Sequence, residues 1–169
     1  DIATVGGFVA GGSAGIGSLA SGALREPGNL IALRVLSLEA EPQEHLFEGE
    51  DVLNIHHAWG LNGVITEVTL RTVQTRDWIA CMATFDGYQE AYAAGYALAT
   101  AGSMAPKLAS VVDARIVEYF PRLKGHVREG CSLLVAYVPA DDVPEFCALI
   151  AKQDGHVDQT LNDADREAK

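Results

Sequence analysis

Between residues 63 and 73 the side chains alternate. Val64, Thr66, Val68, Leu70 and Thr72 fall on one face; Ile65, Glu67, Thr69 and Arg71 fall on the other. A period of two over that length predicts a strand. Residues 30–38, LIALRVLSL, mix apolar and β-branched positions and predict a buried strand. EHLFE, 44–48, predicts a short second strand, punctuated by Glu41-Pro42 and Gly49-Glu50-Asp51. Asp51 is placed to cap a short helix from Val52 to about Trp59, which Gly60 would end.

A break at Gln74-Thr75-Arg76-Asp77 separates this half from a second pattern. WIACMATF, 78–85, predicts a strand, and the alanine-rich run from Tyr88 to Ala101 a helix. Lys107 to Phe120 predicts a short strand followed by a helix from Asp113. CSLLVAYV, 131–138, predicts another strand. Asp141-Asp142 then caps a helix with Pro144 in its first turn, running to about Gln153. Gly155 stops it, a last strand begins at His156, and the polar tail 162–169 frays. The second half thus reads β-α-(β/α)-β-α-β, and the expected boundary falls near residue 75.

Hydrophobic residues make up 49% of the 169 and charged residues 21%, enough apolar material for a core. No apolar run approaches the roughly 18 residues of a membrane span. With 12 basic and 23 acidic residues the net charge is −11, which argues against a protein that grips nucleic-acid phosphates. Cys81, Cys131 and Cys147 form no CxxC pair, so neither a disulfide framework nor a zinc knuckle is expected, and a reducing cytoplasm is the expected compartment. Cys81 and Cys131 lie in apolar strands and read as inert thiols. His56 and His57 would point about 100° apart on the predicted helix, so no shared metal is expected.

Glycine changes the picture most. Eight of the 17 lie in the first 28 residues: Gly6, Gly7, Gly11, Gly12, Gly15, Gly17, Gly22 and Gly28. Ile2, Val5, Phe8, Val9, Ile16, Leu19 and Leu24 are interspersed too densely for a linker. The segment reads as packed but irregular, with its backbone close to a partner. GGSAGIG, 11–17, has the wrong glycine order and no preceding strand for a dinucleotide fingerprint, and no lysine for a phosphate-binding loop of the Walker type. Successive N–H groups there can still face an anion or the edge of a planar ring. No nucleophile motif or spaced carboxylate pair appears. The chain opens at Asp1 without Met and is read as an internal piece of a longer protein.

Two segments, ATVGGFVAGGSAGIGSLASGALREPGN and HHAWGLNGVITEVTLRTV, follow one another at a spacing of about 27 residues. Together they resemble the FAD-binding domain of the vanillyl-alcohol oxidase/PCMH-type flavoproteins, within them the glycolate oxidase and D-lactate dehydrogenase branch of FAD-linked oxidases. The matching residues are Thr4-Val5-Gly6-Gly7, Val9-Ala10 and Gly15, then Gly60 and Asn62-Gly63-Val64-Ile65-Thr66-Glu67. The family's P-x-G-x-x-[ST] pyrophosphate loop lies upstream of such a segment, and GGSAGIGS stands where T-N-A-G-G is usual.

The resemblance implies an α+β fold. Residues 1–75 would be the C-terminal part of a PCMH-type FAD-binding domain, and 76–169 the beginning of a ferredoxin-like substrate or cap domain. It implies FAD as cofactor, a small-molecule substrate such as a 2-hydroxy acid, and cofactor contacts from Thr4, Gly6, Gly7, Gly11, Gly12, Ser13, Gly15, Gly17, Gly63, Val64 and Ile65. A side chain at Gly7 or Gly12 is expected to cost cofactor binding rather than folding. The separated chain is expected to hold FAD weakly or not at all and to associate with itself through the face that a missing subdomain would cover. No catalytic acid or base is identifiable. The alternative is a small α+β ligand-binding or interaction module without redox activity, its glycines purely structural.

Overall fold

The computed structural model describes residues 3–123 and 125–162. The chain divides between Gln74 and Thr75 into two compact units.

Unit 1 begins with a helix, α1 (Val5–Ala10), where an irregular segment was expected. Thr4 supplies the reason. Its backbone is extended, and its Oγ1 accepts from the Gly7 amide at 3.0 Å, an N-cap that offsets the poor helix propensity of Gly6 and Gly7. A second short helix, α2 (Ser18–Ser21), follows. Strands β1 (Leu30–Leu36), β2 (Glu44–Glu48) and β3 (Val64–Leu70) form an antiparallel sheet of order β2-β1-β3. The core gathers Val9 from α1, Leu30, Leu33 and Val35 from β1, and Val52 and Ile55 from the β2–β3 connection. Leu24, Phe47, Ile65 and Val68 close it from the sides.

The expected helix from Val52 to Trp59 is not formed. A 3-10 helix spans Gly49–Asn54, with no side-chain cap from Glu48, and turns follow. His57 (φ 62°) and Trp59 (φ 55°) adopt left-handed conformations that end any helix there. Both serve the last carbonyls of α1. The His57 amide donates to Val9 at 3.2 Å and the Trp59 amide to Ala10 at 3.0 Å.

Unit 2 runs β4 (Trp78–Phe85), α3 (Tyr88–Thr100), β5 (Leu108–Val112), α4 (Ala114–Val117), β6 (Ser132–Pro139), α5 (Val143–Lys152) and β7 (His156–Leu161). The sheet order is β5-β6-β4-β7 with every described pairing antiparallel, a ferredoxin-like arrangement. The first strand of the unit therefore lies at its centre, and Trp78 stands opposite Pro139.

One sheet face carries Cys81, Ala83, Phe85, Leu134, Ala136 and Val138, packed against Ala91, Ala94 and Leu98 of α3 and Phe146 and Ile150 of α5. α5 ends at Lys152 and Asp154 turns left-handed at φ 56°; at Gly155 a Cβ would lie 2.6 Å from Phe85 Cζ and 2.8 Å from Ile150 Cγ2. α4 is capped by Asp113, as its sequence predicts. α5 starts without a side-chain bond from Asp142, contrary to expectation; a 3-10 turn over Ala140–Asp142 leads into it instead. The outer face of α3 bears Tyr88, Tyr92 and Tyr96, stacked in series with centroids 6.5 Å apart. Among the described residues no helix is long and apolar enough to cross a membrane. Residues 163–169 of the polar tail lie outside the described residues.

A long excursion joins β5 to β6, and Arg128 ties it down. Its Nε donates to Thr84 Oγ1 at 2.8 Å and its Nη2 to the Thr84 carbonyl at 3.0 Å. The Thr84 hydroxyl, fully buried, donates in turn to Asp158 Oδ2 at 2.7 Å. Asp86 sits 3.5 Å from Arg128 Nη1.

Candidate functional site

In unit 1 the turn after α1 and the segment 53–57 face each other across an open cleft of about 550 Å³. Its walls are Gly12, Ser13 and Ala14 on one side, Leu53, His56 and His57 on another, and Ala23, Leu24 and Arg25 on a third. That volume lies within the usual range for small-molecule sites.

Each wall is fixed locally. The Gly12 amide donates to the Val9 carbonyl at 3.1 Å and the Ser13 amide to Phe8 at 3.2 Å, which folds the turn back on α1. Gly12 has φ +66°, and a Cβ there would lie 2.6 Å from His57 Cβ. The loop bearing Arg25 is held by Asn29, whose Nδ2 donates to the Ser21 and Ala23 carbonyls at 2.9 Å each. The Glu26 carboxylate accepts from the Ala23 amide at 2.9 Å.

The cleft is basic in an acidic chain. Its lining holds one arginine, two histidines and no carboxylate. Arg25 makes no ion pair or hydrogen bond among the described residues. The rings of His56 and His57 meet edge to face with centroids 6.3 Å apart, rather than diverging along a helix. His56 Nε2 is shut off from solvent without a hydrogen-bond partner. Burial first, then the neighbouring His57 and Arg25 charges, hold the His56 pKa below its ordinary value. His56 is therefore neutral at neutral pH.

The expected contact residues scatter over several surroundings. Gly12 and Ser13 line the cleft. Gly15 and Gly17 line a separate depression of about 210 Å³ with Phe8, Ser18, Leu24 and Asn29. Thr4 is engaged as the cap of α1, and Gly7 faces its hydroxyl, 2.9 Å from where a Cβ would be. A Cβ on Gly11 would stand 3.1 Å from the Gly7 carbonyl oxygen, and one on Gly6 would meet Ile65 at 3.9 Å. Gly63, at φ +136°, packs with its Cβ position 2.7 Å from the Leu36 carbonyl oxygen. The room that Gly7, Gly12 and Gly63 leave is thus filled by the chain itself. Val64 and Ile65 begin β3, an edge strand of the unit 1 sheet, where half of the backbone groups have no sheet partner. Arg25, His56 and His57 carry no motif signal; they meet only because the loop after α2 and the β2–β3 connection fold together.

No family model matches the chain, and no curated protein matches it. Solved structures do. Alkyldihydroxyacetonephosphate synthase, in two crystal forms, aligns over 95% of this chain and 34% of its own, with TM-scores of 0.67 and 0.70 at 16% and 14% identity. Aclacinomycin oxidoreductase aligns over 94% and 38%, with a TM-score of 0.58 at 16% identity. Glucooligosaccharide oxidase from Acremonium strictum, which carries a 6-S-cysteinyl, 8α-N1-histidyl FAD, aligns over 94% and 32%, with a TM-score of 0.53 at 16% identity. The chain has the α+β fold of a segment of the PCMH-type FAD-linked oxidases, the family its two linked motifs resemble. It spans about a third of the length of the solved proteins it matches.

Proposed function

We propose that this chain is a segment of an FAD-dependent oxidoreductase and that unit 1 supplies part of the flavin site. The observation that carries the reading is the basic cleft beside the Thr4-Val5-Gly6-Gly7 helix, on a fold shared with flavoenzymes. In this reading unit 1 is the C-terminal part of the PCMH-type FAD-binding domain, and unit 2 begins the substrate or cap domain.

FAD suits these residues in part. The cleft admits a portion of the dinucleotide, not all of it, and its donors match the cofactor's anionic centre. Gly12 and Ser13 would hold it on one wall, and Arg25 and His57 on the others. The exposed edge of β3, from Val64 and Ile65, offers backbone groups for the adenine end. The flavin, when bound, supplies the redox chemistry by accepting a hydride from a 2-hydroxy acid or similar small alcohol. The chain's own part is to bind and orient. Arg25 supplies charge, the α1–α2 turn supplies hydroxyl and backbone donors, and the neutral His56 ring forms a wall.

Titration of FAD into the chain, followed by flavin fluorescence, tests the reading. Saturable binding weaker than micromolar is expected, because part of the anionic contact set belongs to the upstream loop. Absence of any saturable change up to millimolar FAD would sink it and favour a ligand-binding module without redox activity.

A further inference from the structure

The excursion between β5 and β6, residues 113–131, is a loop whose two ends meet. Val112 and Leu133 are partners in the sheet, and the Ala114 amide donates to Ser132 Oγ at 3.3 Å. Arg128 fastens the returning arm through its side chain to Thr84, and its own amide donates to Asp158 Oδ1 at 3.3 Å. The middle is fixed at Phe120, whose amide donates to the Val117 carbonyl at 3.0 Å and whose carbonyl accepts from the Leu123 amide at 2.9 Å. A loop pinned in this way can fill its interior with its own side chains. This one leaves an open hollow of about 440 Å³. That volume lies in the range of small-molecule sites.

Val117, Phe120, Leu123 and Val127 give the hollow apolar walls, and Glu118 and Glu129 line it beside them. Neither carboxylate makes an ion pair or a hydrogen bond among the described residues. The cation in the lining, Arg128, is already engaged by Thr84 and Asp86. Negative charge is thus left unbalanced next to an aromatic ring and an aliphatic wall. We infer that the hollow is a binding site for an amphipathic organic cation, an ammonium head on an apolar body. The head would meet the two carboxylates through charge-assisted bonds and the Phe120 ring through its π face. The body would cover the aliphatic wall. A neutral ligand of the same shape would dry the carboxylates without pairing them, and an anion would be repelled. Every residue of the site belongs to unit 2, so it does not rest on the flavin reading of unit 1.

Phenethylammonium chloride added to the 169-residue chain at neutral pH, with methyl resonances followed by NMR, provides the test. Saturable shifts at Val117, Leu123 and Val127 are expected at about millimolar ligand, with Val9, Leu33 and Val35 of unit 1 unmoved. Phenylethanol, the same ring without the charge, should bind about fivefold or more weakly, and phenylacetate more weakly still. Glu118→Gln combined with Glu129→Gln, both at exposed side chains, should weaken the ammonium about tenfold and bring it level with the alcohol. Phe120→Leu should weaken it by a smaller factor. Urea unfolding of the double variant should match wild type; if it does not, the order of the three probes on the wild-type chain decides. Alcohol or acid binding as tightly as the ammonium would overturn the site. So would full affinity in a folded double variant, shifts spread evenly over both units, or no saturable shift at tens of millimolar. FAD titration of the same chain is read separately: a chain that binds phenethylammonium but no flavin upholds this site and sinks the flavin reading, and the converse overturns this site alone.

Discussion

Gly12 and His57 occupy one another's space: the ring of His57 fills the volume where a Cβ on Gly12 would project. Gly12 is also left-handed, at φ +66°. The contact joins the turn after α1 to the segment 53–57, the two walls of the cleft. A side chain at residue 12 therefore strikes the protein before it strikes any ligand. Gly12→Ala is expected to cost about 1 kcal/mol for the backbone and about 1–3 kcal/mol more for the overpacking. Urea unfolding measures it. His57→Ala in the same chain should restore the steric part only, and a double mutant no more stable than Gly12→Ala alone would contradict the packing account.

Gly7 behaves differently. It is helical, and its neighbour is the Thr4 hydroxyl rather than a ring. Gly7→Ala gains helix propensity of about 1 kcal/mol and perturbs a cap worth a similar amount. A net stability change near zero is expected. A loss as large as that of Gly12→Ala would show that residue 7 is packed more tightly than described.

The neutral His56 makes unit 1 sensitive to acid. Its folded pKa lies below the ordinary value of 6.5, because burial and then the His57 and Arg25 charges oppose protonation. Below pH 6.5 the unfolded chain takes up a proton that the folded chain refuses, so this group's contribution falls as pH falls, and levels off below the folded pKa. His56→Gln should remove that slope. The measurement is the difference between wild-type and variant unfolding free energies from pH 8 to pH 5, and a flat difference would contradict it.

Arg128 is expected to hold unit 2 together beyond what an exposed arginine normally does. Arg128→Ala leaves the Thr84 carbonyl without its charged donor and should cost about 2 kcal/mol. Arg128→Lys should recover little, because an ammonium cannot repeat the fork onto Thr84 Oγ1 and its carbonyl. Thermal unfolding of both variants is the check; full rescue by lysine would reduce the contact to simple charge.

Cys81 should stay silent toward thiol reagents. Burial, with a smaller effect of Cys147, pushes its pKa up to about 12. At pH 8 in native buffer, disulfide exchange is expected to reach Cys131 and Cys147, both part-exposed, with Cys81 reacting only after unfolding. Prompt reaction of three thiols would contradict this.

The strands were legible because their patterns are local. The predicted limits of β2 and β4 match the structure to the residue, since alternation and flanking turn residues suffice to define them. The order of elements in unit 2 followed from its apolar runs, its alanine-rich helix and the Gly and Pro residues that separate them. The 52–59 helix failed for a non-local reason: His57 and Trp59 turn left-handed to feed amides to α1, almost fifty residues earlier in the chain. The opening helix was missed because Gly6 and Gly7 are poor helix formers, and the Thr4 cap that offsets them shows only in the structure. Arg25 went unremarked as a site residue because its significance lies in a missing carboxylate, and only the assembled cleft shows that.

The sheet order of unit 2 also has a meaning in time. β4 is made first, yet both of its neighbours, β6 and β7, come last from the ribosome. Until Pro139 emerges to stand opposite Trp78, an apolar strand has two open edges and no partner of its own sheet. High sequence separation of this kind slows folding and lengthens exposure to other chains. The alanine-rich α3, able to form as soon as it is made, is the nascent chain's first cover for that strand.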